Sequence, residues 1–188
     1  MDREAIPASY GGTLFRSHLE ARWAIFLDHL ELKWEYEPQG FRFDGTLYLP
    51  DFMVFAALGM IWVEIKPVWD FEDEGVARWR KFAIVRPQPS RAVLLTGKPA
   101  REGRHIVIGG DADHGPLKGP WEDDCHQWRP CPAGYHFDLA YPGKNWSEFA
   151  EDGCPDHCGG IGEDLLGAAV QAANSHRFGR FIPPGTAA

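Results

Sequence analysis

Two apolar runs joined by a tight connection constrain the fold of this chain more than any other feature. Residues 46–55 and 60–67 are rich in apolar and aromatic side chains, and Ala57-Leu58-Gly59 joins them. Runs of this length and composition are typical of β-strands, and a short connection joins strands that run antiparallel. The sequence therefore predicts a β-hairpin in which residues 48–54 pair with residues 60–66.

The segments on either side of this hairpin predict an α+β domain. Residues 17–32 place apolar side chains at helical spacing without Pro or Gly. Residues 33–43 alternate as one strand that is bent at its Pro-Gln-Gly. A second helix is expected at residues 71–85 and a short strand at residues 91–96, and residues 105–108 are a candidate for another strand. The predicted order is α-β-β-β-α-β, a mixed sheet domain.

A change in composition near residue 110 predicts that the chain has a second, smaller part. Glycine and proline become frequent in the segment GGDADHGPLKGP, which indicates a loop. All four cysteines follow, and a helical pattern then returns. The predicted organisation is a core at residues 1–110, a linker at 111–120, a cysteine-containing module at 121–162, a C-terminal helix at 163–182 and a flexible tail at 183–188.

The uneven distribution of charge decides which partners are compatible with the chain. The formal net charge is −8, which argues against a nucleic-acid partner because phosphate binding needs a basic surface. However, residues 1–110 have 14 Lys and Arg against 15 Asp and Glu, whereas residues 111–188 have 5 against 12. The acidity therefore belongs to the C-terminal part, and DNA is compatible with the N-terminal part.

Two features of the sequence bear on its location in the cell. The first residues, MDREAIPASYGG, have charges and a proline where a signal peptide needs an apolar region. The longest apolar run, residues 52–63, is shorter than the roughly 20 residues that a bilayer-spanning helix requires. We therefore expect a cytoplasmic protein with no membrane partner, in which the cysteines are reduced.

Three charged residues stand near the ends of the two apolar runs. Glu64 and Lys66 are two positions apart, so on a strand their side chains share one face while Val63 and Ile65 face the other. Pairing within the hairpin brings Asp51 close to them. Carboxylates that lie together repel each other unless a cation lies between them, and such oxygen ligands suit Mg²⁺. The alternative is an exposed Glu64–Lys66 ion pair, with Asp51 as a turn residue.

The order of these residues resembles the motif of the PD-(D/E)XK nuclease superfamily. Pro50-Asp51 is followed by Glu64-Ile65-Lys66 at the end of the next strand, and the helix SHLEARWAIFL with Glu20 lies upstream. The segment WEYEPQGF is similar to one in small members from phages and mobile elements. The resemblance implies a restriction-endonuclease-like core and a Mg²⁺- or Mn²⁺-dependent DNA endonuclease.

The resemblance also implies a role for each residue of the motif. Asp51 and Glu64 would hold the metal ion, with the backbone carbonyl of Ile65 as a further ligand. Lys66 would position the attacking water or stabilise the developing charge. An ammonium beside two carboxylates keeps its proton firmly, so these roles are favoured over general base catalysis for Lys66.

Glu20 is compatible with two different roles. Ser17-His18-Leu19-Glu20 fits a capping box, in which the Glu20 side chain turns back to the start of the helix and takes no part in chemistry. Glu20 also projects on or beside the buried stripe of the helix. The resemblance implies that it faces the metal ion or supports its ligands, and both readings stay open.

The basic residues of the second predicted helix are candidates for contact with DNA. Arg78, Arg80 and Lys81 lie close together around Trp79, where they would bind phosphates of the nucleic acid. The alternative is that these side chains form a solvated helix surface.

The four cysteines predict a structural zinc site. Five residues separate Cys125 from Cys131, and three separate Cys154 from Cys158, in a segment rich in Gly and Pro. Two such pairs suit one tetrahedral Zn²⁺, although the first spacing is wider than usual. A neighbouring histidine (His126, His136 or His157) is an alternative ligand, and four buried thiols are the alternative to zinc.

The complete reading is a metal-dependent DNA endonuclease with a structural Zn²⁺ module. The C-terminal helix has an apolar face that predicts docking onto the core, and its basic end is a candidate for DNA contact. Cutting both strands of a duplex with one site per chain favours a homodimer on DNA. The alternatives are a structure-specific nuclease such as a Holliday-junction resolvase, and a non-catalytic, zinc-stabilised protein that binds nucleic acid.

Overall fold

The structure is a computed structural model, and it describes residues 5–56, 59–68, 70, 72–87, 90–100, 105–109, 127–130, 137–140 and 161–179. The described part of the chain is a mixed α+β arrangement with three helices and several sheets. The strands are β1 (Ala8–Tyr10), β2 (Thr13–Phe15), β3 (Lys33–Tyr36), β4 (Phe41–Phe43), β5 (Thr46–Tyr48), β6 (Phe52–Ala56), β7 (Gly59–Lys66), β8 (Arg91–Thr96), β9 (His105–Gly109), β10 (Gln127–Pro130) and β11 (Phe137–Ala140), and the helices are α1 (His18–His29), α2 (Glu74–Val85) and α3 (Ile161–Ser175).

The main sheet has five strands in the order β3-β6-β7-β8-β9, with β7 at its centre. The neighbours pair antiparallel except for β7 and β8, which are parallel. Parallel neighbours need a crossover connection, and α2 supplies it. Three further two-stranded ribbons, β1-β2, β4-β5 and β10-β11, complete the described strands.

The side chains of β7 alternate between two apolar layers, one on each face of the sheet. Ile61, Val63 and Ile65 are buried in a cluster with residues of α1 and α3. Trp62 is buried in a second cluster with residues of α2. Because a strand alternates its faces, Glu64 lies on the α2 side of the sheet.

Helix α1 begins one residue after its predicted start and ends earlier than predicted. Ser17 is the N-cap, and its hydroxyl accepts a hydrogen bond from the Glu20 N–H at 3.1 Å. The helix was expected to continue to residue 32, but Leu30 is the C-cap and Glu31 has a φ of 55°. A left-handed residue reverses the chain into β3, which ends the helix.

Two strand predictions were wrong in the same way, because each joined segments of different sheets. Residues 33–43 form β3 of the main sheet and β4 of a separate ribbon, with Glu37 at a φ of 45° between them. Residues 46–55 likewise divide into β5 and β6. Pro50 lies in the second break, where it has no N–H to donate to a sheet.

The predicted hairpin forms between β6 and β7, but its register differs from the prediction by one residue. Phe52 pairs with Val63 and Phe55 with Met60, and the pairing stops at Phe52. The expected pairing of residues 48–54 with 60–66 therefore does not form. The antiparallel direction was correct. Asp51 and Glu64 both lie just beyond the last pair, at the end of the hairpin.

The C-terminal helix α3 docks against α1, as its apolar face predicted. Leu166, Ala169 and Ala173 are buried with the core. The side-chain amide of Asn174 donates to the carbonyl of Pro99 at 2.8 Å. The helix ends at Ser175, before the predicted end at residue 182. No helix among the described residues has the length and apolar character needed to cross a membrane.

Candidate active site

Asp51 is held at the end of the hairpin by a backbone hydrogen bond. Its carboxylate Oδ2 accepts from the Ile65 N–H at 2.7 Å. Ile65 lies two residues beyond the last β6–β7 pair, so the Asp51 side chain takes the place of a ladder partner. Only 3 % of Asp51 is exposed. The break at Pro50 therefore places a carboxylate, rather than another strand residue, against the end of β7.

The backbone of β7 directs a carbonyl to the same side as Asp51. The carbonyl of Lys66 accepts from the Gly97 N–H at 2.8 Å, on the side where β8 lies. In a strand the N–H and C=O of one residue point to the same side, and consecutive residues alternate. The carbonyl of Ile65 therefore faces the side where its N–H meets Asp51.

Glu64 is the second buried carboxylate, and two side chains hold it. Tyr48 Oη donates to Glu64 Oε2 at 2.7 Å. The ammonium of Lys66 lies 3.3 Å from Glu64 Oε1. Glu64 and Lys66 thus share one face, as predicted, and they form the ion pair of the alternative interpretation, but only 7 % of Glu64 is exposed. The alternative of an exposed ion pair does not describe this carboxylate.

Lys66 is positioned by the start of helix α2. Its Nζ lies 3.5 Å from Oδ1 of Asp73, the N-cap of that helix. A Cβ on Gly75 would lie 2.3 Å from the Lys66 Nζ, which is closer than atoms can approach. Glycine at this position therefore leaves room for the ammonium to lie against the first turn of α2.

Glu20 takes part in a helix cap and also lines the candidate site. Its Oε1 accepts from the Ser17 hydroxyl at 2.9 Å, and its Oε2 accepts from the Arg16 N–H at 3.1 Å. Tyr36 Oη donates to the same Oε2 at 2.6 Å. Both carboxylate oxygens are therefore engaged by protein donors. The contacts favour the capping role. In a standard capping box Glu20 would accept from the N–H of Ser17, but here it accepts from the N–H of Arg16, so the cap is a variant.

Arg16 is a site residue that the sequence analysis missed. Its guanidinium pairs with Oδ1 of Asp51, and its Nε lies 2.8 Å from Oε1 of Glu37. Burial alone lowers the pKa of Arg16, but Asp51 and the neighbouring Tyr36 and Glu20 raise it above its usual value. Arg16 directly precedes the N-cap Ser17, and no pattern in the sequence connects it to the motif.

The two buried carboxyl groups have raised pKa values. Burial raises the pKa of Asp51 well above its usual range, and the charges of Glu64 and Glu20 raise it further. Burial also raises the pKa of Glu64, although the hydrogen bond from Tyr48 and the charge of Lys66 lower it in part. Both groups are therefore more stable when a proton or another cation neutralises them.

The site opens into a pocket with a volume of about 410 Å³. The functional side chains that line it are Arg16, Glu20, Tyr48, Asp51, Glu64, Lys66 and Arg78, and the apolar Leu47 and Leu49 lie at its edge. A pocket of this size lies within the range that accommodates a small ligand or a segment of a larger one. The sequence predicted four of these residues, Glu20, Asp51, Glu64 and Lys66, to lie together.

The donor atoms at the site fit a hard divalent cation. Within the described ranges, no three side chains of His, Cys, Asp or Glu come together as a metal-binding group. Mg²⁺ does not require such a group, because it is usually bound by one or two carboxylates together with water and substrate phosphates. Asp51, Glu64 and the carbonyl of Ile65 provide a donor set of that kind.

Of the other predicted site residues, only some lie at the pocket. Arg78 lines the pocket, whereas Arg80 is half-buried and Lys81 is exposed elsewhere on α2. The predicted zinc ligands Cys125, Cys131, Cys154 and Cys158 lie outside the described residues. Of the predicted DNA-binding residues, Arg78 therefore has the most direct relation to the pocket.

Comparisons of the chain with protein-family models, with curated proteins and with solved structures find no match.

Proposed function

We propose that this protein is a metal-dependent DNA endonuclease of the PD-(D/E)XK type. The observation that supports this most is that two buried carboxylates and an ammonium line one open pocket at the end of a hairpin. Asp51, Glu64 and Lys66 occupy this place in the order in which the motif runs along the chain. Buried carboxylates with raised pKa values are typical of functional sites.

The topology also supports a restriction-endonuclease-like core. An antiparallel hairpin, β6-β7, is followed by helix α2 and by β8, which pairs parallel to β7. Asp51 precedes β6, and Glu64 and Lys66 end β7, so the central strand of the sheet supports both parts of the motif. A rigid strand holds ligands more firmly than a loop does.

Asp51, Glu64 and the carbonyl of Ile65 would hold Mg²⁺ or Mn²⁺. A metal ion at this place would supply a Lewis acid for the scissile phosphate and lower the pKa of a bound water. Tyr48 donates to one oxygen of Glu64 and thereby orients the carboxylate. Each of the two carboxylates is thus held by a protein donor, Asp51 by the Ile65 N–H and Glu64 by Tyr48.

Lys66 would act on the nucleophile or on the developing negative charge. Its ammonium lies between Glu64 and Asp73 at 3.3 and 3.5 Å, so two carboxylates hold it in position. A cation fixed in this way stabilises charge that develops on a phosphate without reorganising. We therefore assign Lys66 to positioning and electrostatic stabilisation.

The DNA backbone would enter the pocket past Arg78 and Arg16. Both basic side chains line the pocket, and both belong to the part of the chain that is nearly neutral. Phosphate contacts from such residues position a nucleic acid without reading its sequence. Leu47, which is 67 % exposed at the pocket edge, would contact a sugar or base.

The cysteines, the oligomeric state and the location in the cell were also predicted from the sequence. We propose that Cys125, Cys131, Cys154 and Cys158 bind one structural Zn²⁺, and that the protein acts on DNA as a homodimer. We also propose a cytoplasmic location. The support for these parts is the sequence pattern alone.

Cleavage of plasmid DNA by the full chain tests the proposed function. We expect nicking or linearisation that requires Mg²⁺ or Mn²⁺ and is lost in Lys66→Ala. Lys33→Ala is the matched control, because Lys33 pairs with Phe55 at the other end of strand β6. Equal cleavage by Lys66→Ala and wild type would exclude this mechanism. Binding of DNA without any metal-dependent cleavage would favour the non-catalytic alternative.

A further inference from the structure

The guanidinium of Arg16 occupies the carboxylate that the proposed metal site needs. It pairs with Oδ1 of Asp51, the oxygen that the Ile65 N–H leaves available. Its Nε lies 2.8 Å from Glu37 Oε1 and 4.0 Å from Glu20 Oε2. One side-chain cation therefore lies among three carboxylates and offsets part of their charge.

The backbone of Arg16 is hydrogen-bonded, whereas its side chain is largely exposed. The Arg16 N–H donates to both Glu20 Oε2 and Tyr36 Oη at 3.1 Å. Its side chain is 57 % exposed, whereas the side chain of Asp51 is 4 % exposed. The guanidinium can therefore leave Asp51 by rotation about its own side-chain bonds, without a shift of the backbone.

Glu37 is a partner that the guanidinium of Arg16 can keep after it leaves Asp51. Its backbone N–H donates to the carbonyl of Asp51 at 2.9 Å, so Glu37 is fixed beside the site. An arginine that has left Asp51 still has this carboxylate as a partner. It therefore stays at the pocket mouth, where its free N–H groups face an entering ligand.

We propose that Arg16 is an internal counter-ion with two positions, and that it competes with a divalent cation for Asp51. In the first position it offsets the repulsion between Asp51 and Glu64. It leaves Asp51 when a divalent cation binds, remains on Glu37, and there holds a phosphate of the substrate. This inference rests on the proposed metal site and assigns Arg16 as a positioning residue.

Calorimetric titration of the full chain with Mn²⁺, in the absence of DNA, tests the competition directly. We expect Arg16→Met to bind Mn²⁺ roughly tenfold more tightly than wild type, equivalent to about 1.4 kcal/mol. Arg78→Met is the matched control. It removes the same charge from the same pocket, but no contact joins Arg78 to Asp51 among the described interactions, so its affinity should change by less than about threefold.

Three outcomes of the titration have different meanings. Equal tightening in Arg16→Met and Arg78→Met would overturn the inference, because general electrostatics would explain it. Unchanged affinity in Arg16→Met, with wild type binding Mn²⁺, would also overturn it. An absence of Mn²⁺ binding in all three proteins would also overturn the inference, and metal-dependent cleavage of plasmid DNA would then decide the proposed function separately.

A second measurement on the wild-type chain does not depend on the folding of a variant. Hydrogen exchange at the Arg16 guanidinium is followed by NMR during titration with Mg²⁺. We expect exchange at the Nη groups, which pair with Asp51, to become roughly tenfold faster as Mg²⁺ saturates the site. Unchanged Nη exchange at full Mg²⁺ occupancy would overturn the inference.

Discussion

The Asp51 carboxylate accepts a hydrogen bond from the backbone N–H of Ile65 at 2.7 Å, two residues beyond the last pair of the β6–β7 hairpin. This contact connects the first half of the motif to the second. It continues the ladder with a side chain after Pro50 has interrupted the backbone pairing. The same hydrogen bond fixes a buried carboxylate next to Glu64. The pairing of the hairpin therefore positions the residues of the candidate site.

Replacement of Glu64 by glutamine should abolish cleavage and leave the fold intact. Glutamine retains the shape and can still accept from Tyr48, but it lacks the negative charge that a divalent cation needs. We expect cleavage to fall by roughly 100-fold or more, since one electrostatic contact in a catalytic site commonly contributes that much. Plasmid cleavage and thermal unfolding of the same preparation measure both effects. Full activity in Glu64→Gln would contradict a metal role for this residue.

The stability of Asp51→Asn relative to wild type should increase with pH. The pKa of Asp51 is raised in the folded state, mainly by burial, so the folded protein binds a proton that the unfolded chain releases near pH 4. Stability from this group is present below the unfolded pKa and is lost as the pH rises through the folded pKa. Asparagine has no such loss.

Thermal unfolding of both proteins from pH 4 to pH 8, without divalent cations, measures this difference. We expect the melting temperature of Asp51→Asn minus that of wild type to rise above pH 4 and to level off once the pH exceeds the raised pKa of Asp51. A difference that falls with pH would show that Arg16 stabilises the Asp51 charge more than burial destabilises it.

Gly75→Ala should impair activity more than stability. The new Cβ would lie 2.3 Å from the Lys66 Nζ and 2.8 Å from Oδ1 of Asp73, so the flexible ammonium has to move. Alanine is more favourable than glycine in a helix by about 1 kcal/mol. This gain offsets part of the stability that is lost when the Lys66 ammonium moves. Cleavage assays and chemical denaturation compare this variant with Gly179→Ala, where a Cβ meets nothing within 4 Å. Equal activity of the two variants would argue against a fixed position for Lys66.

Glu20→Ala should lower stability by about 1 kcal/mol, as the loss of a helix cap does. The reason is that the Ser17 hydroxyl, the Arg16 N–H and the Tyr36 hydroxyl all lose their acceptor. Urea denaturation measures the loss, and Mn²⁺ titration measures the effect on metal binding. A large loss of Mn²⁺ affinity at unchanged stability would instead assign Glu20 to the metal.

Removal of zinc should affect the C-terminal part and spare the chemical step. If the four cysteines bind Zn²⁺, elemental analysis should find about one zinc per chain, and a chelator should unfold that part because its binding energy is folding energy. Cys154→Ser should reduce stability or DNA affinity more than the rate of cleavage of bound DNA. A zinc-free chain of normal stability would reject the module.

The sequence predicted the elements that local patterns determine and missed those that depend on tertiary pairing. The positions of β8 and the start of α1 follow from a β-rich run and a serine cap, and both were predicted well. The division of residues 33–43 and 46–55 into different sheets depends on breaks at Glu37 and Pro50, which alternation alone does not reveal. The register error of one residue has the same origin. The register of a hairpin is set by the geometry of its turn, and the alternation of the strands does not determine that geometry.

The candidate site shows the same division between local and tertiary information. Glu64 and Lys66 were placed on one face by the period of a strand, and Asp51 was placed beside them by the predicted hairpin. Tyr48 and Arg16 reach the site from β5 and from the segment before α1, at sequence separations of 16 and 35 residues from their partners. No periodic pattern connects them to the motif, so only the folded arrangement identifies them.

A crystal of the full chain soaked in Mn²⁺ and measured at the manganese absorption edge tests whether the buried carboxylates form a metal site. We predict one or two anomalous peaks between Asp51 and Glu64, with the Arg16 guanidinium on Glu37 and no longer on Asp51. A saturated crystal with no anomalous peak there, and with Arg16 still paired to Asp51, would contradict the metal site and the endonuclease activity inferred from it.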